Sequence, residues 1–277
     1  MRRWGNGSLA PVGRKRSETV LVTKVTDGSA RRAPDALIVE EPMAIELDGV
    51  RVTTTMRTPG HDFELAVGFL HSEGMLGDAP VTEVRYCATG SAVETGFNIV
   101  TVSTNGRAPV PTARLTTTTS SCGICGSESL DELAARVAPL DPARLAVFAP
   151  ELLASLPERA RAAQPLFDST GAVHAAVAFN ADGSVVCSRE DVGRHNAVDK
   201  VVGRLHLDAS LPASALALYV SGRASFEIVQ KAWAAGFGAV VSVSAPTALA
   251  VDTARRAGIT LVGFVRPDSF NVYSTRS

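Results

Sequence analysis

Between Ala215 and Val265 the chain repeats one unit, a short and nearly all-apolar strand followed by a helix of about ten residues. ALALYVSG (215–222) leads into a helical pattern carrying Phe226, Val229, Ala232 and Trp233, which Gly236 ends. GAVVSVS (238–244) leads into a second helix, opened near Pro246 and ended by Gly258, and ITLVGFV (259–265) closes the series. Strands joined through helices must cross over, which predicts a largely parallel sheet in an α/β domain. The absence of polar alternation in these strands fits a sheet covered on both faces.

That topology carries a functional expectation of its own. Open α/β sheets bind ligands beyond the carboxyl ends of their strands. Those ends here read Ser221-Gly222-Arg223, Ser244-Ala245-Pro246 and Arg266-Pro267-Asp268-Ser269. Two arginines, several hydroxyls and two helix N-termini on one edge suit phosphate oxygens, so the expected ligand is phosphorylated and nucleotide-like. A single arginine at such a place would more simply make a surface ion pair. Two at equivalent strand ends favour the ligand.

Upstream, VHAAVAF (173–179) and SVVCS (184–188) flank Asn180-Ala181-Asp182-Gly183, a hairpin signature. His174 in that apolar strand reads as a satisfied core histidine, and Cys187, like Cys87, as a small buried hydrophobe. A charged stretch, Arg189 to Lys200, then precedes a helix with Val198, Val201, Val202 and Leu205 on its apolar face. Such a run is usually solvated, but Gly193 beside Arg194 and His195 also resembles an anion-binding helix entry. Pro150 and Pro157 bracket or kink an earlier helical stretch that reaches about Ala163. His61 and His71 carry only weak signals.

The chemistry-bearing motif is TTTTSSCGICGSESL (116–130), where Cys122 and Cys125 form a C-x-x-C with a glycine after each cysteine. Leu130, Leu133, Ala134 and Val137 follow at helical spacing, and Ser129 with Glu132 forms a capping-box pattern. The cysteines thus lie on a loose loop entering a helix N-terminus, where a thiol pKa falls. Three chemistries are open: disulfide exchange, zinc binding and persulfide transfer. Zinc needs four ligands where one C-x-x-C gives two, so Cys87 and Cys187 would have to be brought in by the fold. His174-Ala175-Ala176 lacks the glutamate of the histidine-x-glutamate found in zinc deaminases. No metal ligand is therefore assigned. Spacing alone leaves sulfur carriage and redox exchange both standing.

From Thr19 to Ser103 the pattern is mostly strands. TVLVTKV (19–25) and LIVEE (37–41) are β-branched runs, and MAIELDGVRVTTT (43–55) is a hairpin turning at Asp48-Gly49. VTEVRYC (81–87) and FNIVTVS (97–103) form a second pair across a connection containing Gly90 and Gly96. Between the pairs lies one helix that Asp62 can cap, with Phe63, Ala66, Val67 and Leu70 on its apolar face and Gly77 closing its tail. Its entry, Met56 to Asp62, is polar and turn-rich, a bland connector or a ligand site. The expected organisation is a flexible N-terminus (1–16), a β-rich region (17–103), a Thr/Ser/Pro-rich linker with the cysteine loop (104–128) and the α/β domain (129–277).

Composition narrows the function classes. Among 277 residues, a formal net charge of −1 gives no basic field for nucleic acid, and four cysteines do not make a secreted disulfide scaffold. The basic start MRRWGNGSLAPVGRKRS has no apolar core for a signal peptide, and no run of about 18 apolar residues spans a membrane. The expected location is the cytoplasm, without a membrane partner.

In chain order, EEPMAIELDGVRVTTTMRTPGHDFELAVGFLHSEGML (40–76), SSCGICG (120–126), REDVGRHNAVDKVVG (189–203), SGRASFEIVQKAWAAG (221–236) and SVSAPTALAVDTARRAGITLVGFVR (242–266) closely resemble the FdhD/NarQ family of formate dehydrogenase accessory sulfurtransferases. The resemblance runs from about Glu40 to Tyr273. It implies a sulfur carrier that takes sulfur from a cysteine desulfurase as a cysteine persulfide. That sulfur passes to the molybdenum or tungsten cofactor, a bis-molybdopterin guanine dinucleotide, before insertion into the catalytic subunit of formate dehydrogenase. A GDP-like nucleotide would mimic the cofactor. The implied fold is a cytidine-deaminase-like three-layer α/β sandwich with an added β-rich region, in a homodimer. The family's cysteine loop maps onto Cys122 and Cys125, with Cys122 the carrier. Its cofactor segment maps onto Phe264, Val265, Arg266, Pro267, Asp268 and Ser269. Ser221, Arg223 and His195 join that set from the strand-end reading. The glycine-rich form the resemblance implies after Arg266-Pro267 is Asp268-Ser269-Phe270 here. Alternatives that remain are a C-x-x-C thiol-disulfide oxidoreductase and a non-catalytic cofactor chaperone.

Overall fold

The computed structural model describes residues 14–87, 90–109, 130–131 and 134–276. Cys122, Cys125 and the Ser129–Glu132 capping pair lie outside the described residues, as does most of the linker.

The chain opens with an antiparallel ribbon, β1 (Ser17–Thr26) and β2 (Ser29–Ile38), turning at Asp27-Gly28. The hairpin read at Asp48-Gly49 is present as β3 (Glu41–Leu47) and β4 (Val50–Arg57). Asp48 and Gly49 both take positive φ, 48° and 84°, as a two-residue turn matched to strand twist requires. β5 (Glu83–Tyr86) and β6 (Ile99–Ser103) pair antiparallel, and β6 joins β3 in parallel, giving a sheet ordered β4-β3-β6-β5. Helix α1 (Asp62–Ser72) lays Leu65, Ala66 and Leu70 on this sheet against Met43, Ile45, Val100 and Val102. Asp62 opens α1 but does not cap it: His61 holds the cap position at φ 57°, and the Asp62 carboxylate is drawn away by buried Arg57 at 3.1 Å.

The larger sheet has six strands in the order β12-β11-β10-β9-β7-β8. These are β7 (His174–Phe179), β8 (Val185–Asp191), β9 (Ala217–Val220), β10 (Ala239–Ser242), β11 (Thr260–Arg266) and β12 (Ser269–Ser274). The expectation of a largely parallel sheet needs correcting. Only β9, β10 and β11 run parallel, whereas β7–β9, β7–β8 and β11–β12 pair antiparallel. The crossover helices dictate the parallel centre, and hairpins at Asn180–Gly183 and Pro267-Asp268 fold the outer strands back.

One face of this sheet is covered by α4 (Arg194–Leu207), α5 (Phe226–Ala235) and α6 (Ala248–Ala257), through Val198, Val201, Ile228, Trp233 and Ala254. The other face packs Val177, Phe179, Tyr219 and Val241 against Leu153 and Leu156 of α2 (Pro150–Arg161). A short α3 (Pro165–Thr170) follows. Gly236 and Gly258 end α5 and α6 in the left-handed region, at φ 79° and 75°. Thr247, next after Pro246, caps α6, whose first residue is Ala248.

The β-rich region docks on the α/β domain where α1 crosses α4. A Cβ on Gly68 would stand 1.8 Å from the Asp199 carbonyl oxygen, and one on Gly203 would stand 1.8 Å from that of Glu64. The backbones touch there, which only glycine permits.

Candidate functional site

β8 is antiparallel to β7, and β7 to β9, so β8 ends on the same edge as the three parallel strands. The charged Arg189–Lys200 stretch and the three strand ends therefore lie on one edge of the sheet. His174, the first residue of β7, lies on this edge as well.

The edge is knitted by main-chain contacts between neighbouring strand ends. Ser242 Oγ lies 2.8 Å from Gly222 O and 2.9 Å from Ser244 O, and Thr247 N donates to Ala224 O at 3.0 Å. Phe264 N donates to Ser244 O at 3.2 Å, and Arg266 Nη1 donates to Val243 O at 2.8 Å. Phe264 holds φ 54° with its ring 43% exposed, a strained backbone that carries a large apolar group to the surface. Val265 turns inward to the core, so it can meet a ligand only through its backbone. Arg266, Pro267, Asp268 and Ser269 are exposed around the β11–β12 turn. Arg223 is exposed, and Ser221 Oγ accepts the Ala175 N–H at 2.9 Å. His195 Nε2 stands 2.8 Å from Glu227 Oε2 and 3.3 Å from Ser225 Oγ. That hydrogen bond to His195 holds the Glu227 carboxyl below its ordinary range. Ser221, Arg223, His195 and the Phe264–Ser269 segment thus share one edge.

Beneath the edge lies a polar framework that sequence reasoning did not assign. Asp191, fully buried, receives Lys200 Nζ at 2.6 Å and Thr58 N at 3.1 Å on Oδ2, and Gly193 N at 2.8 Å and Asn196 Nδ2 at 3.1 Å on Oδ1. Thr58 also accepts Lys200 on its carbonyl at 3.0 Å and the Val192 N–H on its hydroxyl at 3.1 Å. The turn-rich Met56–Asp62 segment therefore locks the β8–α4 turn that presents Arg194 and His195. Glu190 accepts the Leu166 and Phe167 N–H groups at 3.0 and 2.8 Å, fixing the start of α3. Arg189 forks onto Glu64, with Nη2 to Oε1 at 2.7 Å. Burial pushes the Glu64 carboxyl up, but hydrogen bonds from Arg189 and His61 outweigh it and bring the group down to about 2.

Beside this framework a cleft of about 470 Å³ opens between α2–α3 and the sheet edge. Its walls include Gln164, Phe167, His174, Tyr219 and Ser221, with Arg161 also lining it. His174 is not the enclosed core histidine expected from its strand: it lines this cleft, beside Gly222, and burial, with Arg194 and His195 after it, lowers its pKa. The only sequence clue was its place near the start of the apolar run VHAAVAF.

Cys187 sits in the α/β core, where burial pushes its thiol up to about 11. Among the described residues no group of three or more His, Cys, Asp or Glu side chains is placed to hold a metal, and no helix is long and apolar enough to cross a membrane.

A sequence model described as the FdhD/NarQ family matches residues 38–277. A Streptomyces avermitilis protein named "Sulfur carrier protein FdhD" is 51% identical over 263 residues, covering 91% of this chain and 92% of its own length. A protein of the same name from Mycolicibacterium paratuberculosis is 48% identical over 261 residues, covering 91% of this chain and 95% of its own. The crystal structure of a Desulfotalea psychrophila protein described as a "formate dehydrogenase accessory protein" matches with a TM-score of 0.73 at 26% identity, over 94% of this chain and 98% of that one.

Proposed function

Because this chain belongs to the FdhD/NarQ family, we propose that it is a sulfur carrier serving formate dehydrogenase, with Cys122 as its persulfide-bearing residue. The observation that carries the reading is the near-full-length identity to relatives named as sulfur carriers, 51% over 263 residues in one case, together with the C-x-x-C at Cys122 and Cys125. In the first step the Cys122 thiolate attacks the terminal sulfur of a cysteine desulfurase persulfide. A new S–S bond forms at Cys122 and the desulfurase thiolate leaves. In the second, the Cys125 thiolate attacks Cys122 Sγ and expels the outer sulfur as hydrosulfide to the metal of bis-molybdopterin guanine dinucleotide. The resulting Cys122–Cys125 disulfide is then reopened by a cellular dithiol.

The strand-end edge supports the acceptor half of this reading. Arg223 and Arg194, with the Ser221 and Ser225 hydroxyls, offer the donors that the cofactor's phosphates need. The mixed six-stranded sheet with helices on both faces is in keeping with a cytidine-deaminase-like sandwich. A cytoplasmic homodimer that meets the desulfurase and the dehydrogenase catalytic subunit in turn completes the proposal.

The test is mass spectrometry of the full chain after incubation with a desulfurase and cysteine. One sulfur atom gained on the Cys122 peptide, together with failure of Cys122→Ala to activate apo-formate dehydrogenase, is the expected result. Undiminished activation by Cys122→Ala would overturn the carrier assignment.

A further inference from the structure

The longest described strands have the least to pack on. β1 and β2 each run ten residues, roughly 33 Å, and Ala33 is the one buried residue of the pair. They form a two-stranded sheet of their own, which meets the body where β2 lies against α3. Among the described residues β1 pairs with β2 alone, so its outer edge is unpaired. Leu21 and Val25 on that strand are 56% and 68% exposed. A lone two-stranded ribbon is marginal in water, and a free edge is a template for another strand.

The two edges are not alike. β2 carries Pro34, which has no N–H to offer a further strand. β1, SETVLVTKVT, has neither proline nor glycine and is mostly β-branched, so it is the edge left competent for pairing. Its charges select the partner. Two copies related by a two-fold axis perpendicular to the sheet pair antiparallel with one residue opposite itself, and that residue fixes every other pair. With Leu21 on the axis, Glu18 faces Lys24 and Val20 faces Val22, each twice, and Thr19 faces Thr23. An axis at Val20 or Val22 instead sets Lys24 against Arg16 or Val20, and Glu18 against Val22 or Thr26. Lys24 holds Asp35 of its own ribbon at 2.7 Å, which keeps its ammonium on the face that Glu18 shares.

We propose that two copies of this chain join edge to edge through β1, antiparallel about a two-fold axis at Leu21, into one four-stranded sheet ordered β2-β1-β1-β2. The Glu18–Lys24 pairs close it at both ends. The inference rests on the homodimer of the proposed function and adds its surface and register. Nearly all of the ribbon precedes residues 38–277 of the family match, so this surface is read from the chain itself.

Analytical ultracentrifugation of the full chain and three charge variants tests it, with circular dichroism confirming that each variant is folded. The unmodified chain should be a dimer. Glu18→Lys places lysine against lysine twice, and should weaken the dimer about tenfold or more. Lys24→Glu, which places glutamate against glutamate twice, should act alike. The double variant, Glu18→Lys with Lys24→Glu, restores opposite charges in the same register and should restore the dimer. If the single variants dimerise as tightly as the unmodified chain, or the double variant stays as weak as the singles, the inference falls and the carrier reading stands. If the unmodified chain is a monomer throughout, the inference falls together with the homodimer, while sulfur gain on the Cys122 peptide still decides the carrier assignment.

Discussion

The ion pair under the site can be tested hard, because its geometry sets both the sign and the size of the effect. Lys200 and Asp191 are 2.6 Å apart with neither side chain exposed. Lys200→Met keeps most of the stem and removes the ammonium. Removing one partner from a buried pair costs about 3–5 kcal/mol, because the other charge is left without compensation. Asp191 would keep three N–H donors, from Thr58, Gly193 and Asn196, which places the loss near the lower end, about 3 kcal/mol. At about 2–4 °C per kcal/mol for a domain of this size class, the melting temperature should fall by roughly 6–12 °C. Adding Asp191→Asn removes the orphaned charge while preserving its shape, so the double variant should recover much of that loss. Circular dichroism melts of the four proteins close the cycle, with a coupling of about 2 kcal/mol or more expected. A loss below about 1 kcal/mol for Lys200→Met, or strict additivity in the double variant, would refute the reasoning that this pair holds the β8–α4 turn.

Acid stability should fall in two separable stages. His206 is held down to about 4, by burial first and then by His71, so its neutral form is favoured in the fold. Its contribution should fade as pH drops from about 6.5 toward 4, and His206→Gln should flatten that limb in melts across pH. Glu64, folded at about 2 against an ordinary 4.5, contributes above pH 4.5 and loses up to about 3 kcal/mol as pH falls toward 2, a limb that Glu64→Gln should abolish. Gly203→Ala should cost more than about 3 kcal/mol, because its Cβ would meet the Glu64 carbonyl at 1.8 Å and one helix must back away; a melt shifted by less than about 2 °C would contradict the close crossing. Cys187, with its thiol pushed up to about 11, should resist alkylation at pH 8 in the folded chain and react on unfolding, as peptide mass spectrometry would show.

What was legible in the sequence follows from where burial leaves a pattern. β9, β10 and β11 are buried along their central residues, so their apolar runs are unbroken, and Gly236 and Gly258 end the helices between them by plain backbone chemistry. Asp48-Gly49 was readable for the same local reason. β2 was not, because SARRAPDALI is a mostly exposed ribbon strand held by backbone pairing, and Arg31, Arg32 and Pro34 show no alternation there. The hairpin ending in β8 was readable, but its insertion antiparallel to β9 depends on pairing between distant segments, which no local pattern encodes. At the site, the strand ends were legible and the framework was not. Asp191 and Lys200 look like any charges in a solvated run, and their partner Thr58 lies 133 residues away from Asp191. Gln164 stands among ordinary helix-end residues and is marked only by being buried. The cysteine loop lies outside the described residues, so its reading rests on residue chemistry and family likeness.

The β-rich region is tied to the chemistry, not appended to it. Its entry segment supplies Thr58, which meets Asp191, Lys200 and Val192 at once, and its helix α1 supplies Glu64 to Arg189 and Ser72 to Asp199. Arg189, Glu190 and Asp191 are consecutive on β8, and each is spent differently: the first on α1, the second on α3, the third on the turn into α4. One strand end thus sets the position of the cleft wall and of the turn that carries Arg194 and His195 together, and it is itself set by the docked region. A substitution that loosens the docking should therefore lower stability and ligand affinity in the same proteins, whereas Arg223→Ala, at an exposed strand end, should weaken phosphate binding and leave the melt unchanged. Affinity lost without stability at Thr58, or stability lost without affinity, would separate the two roles that this geometry joins.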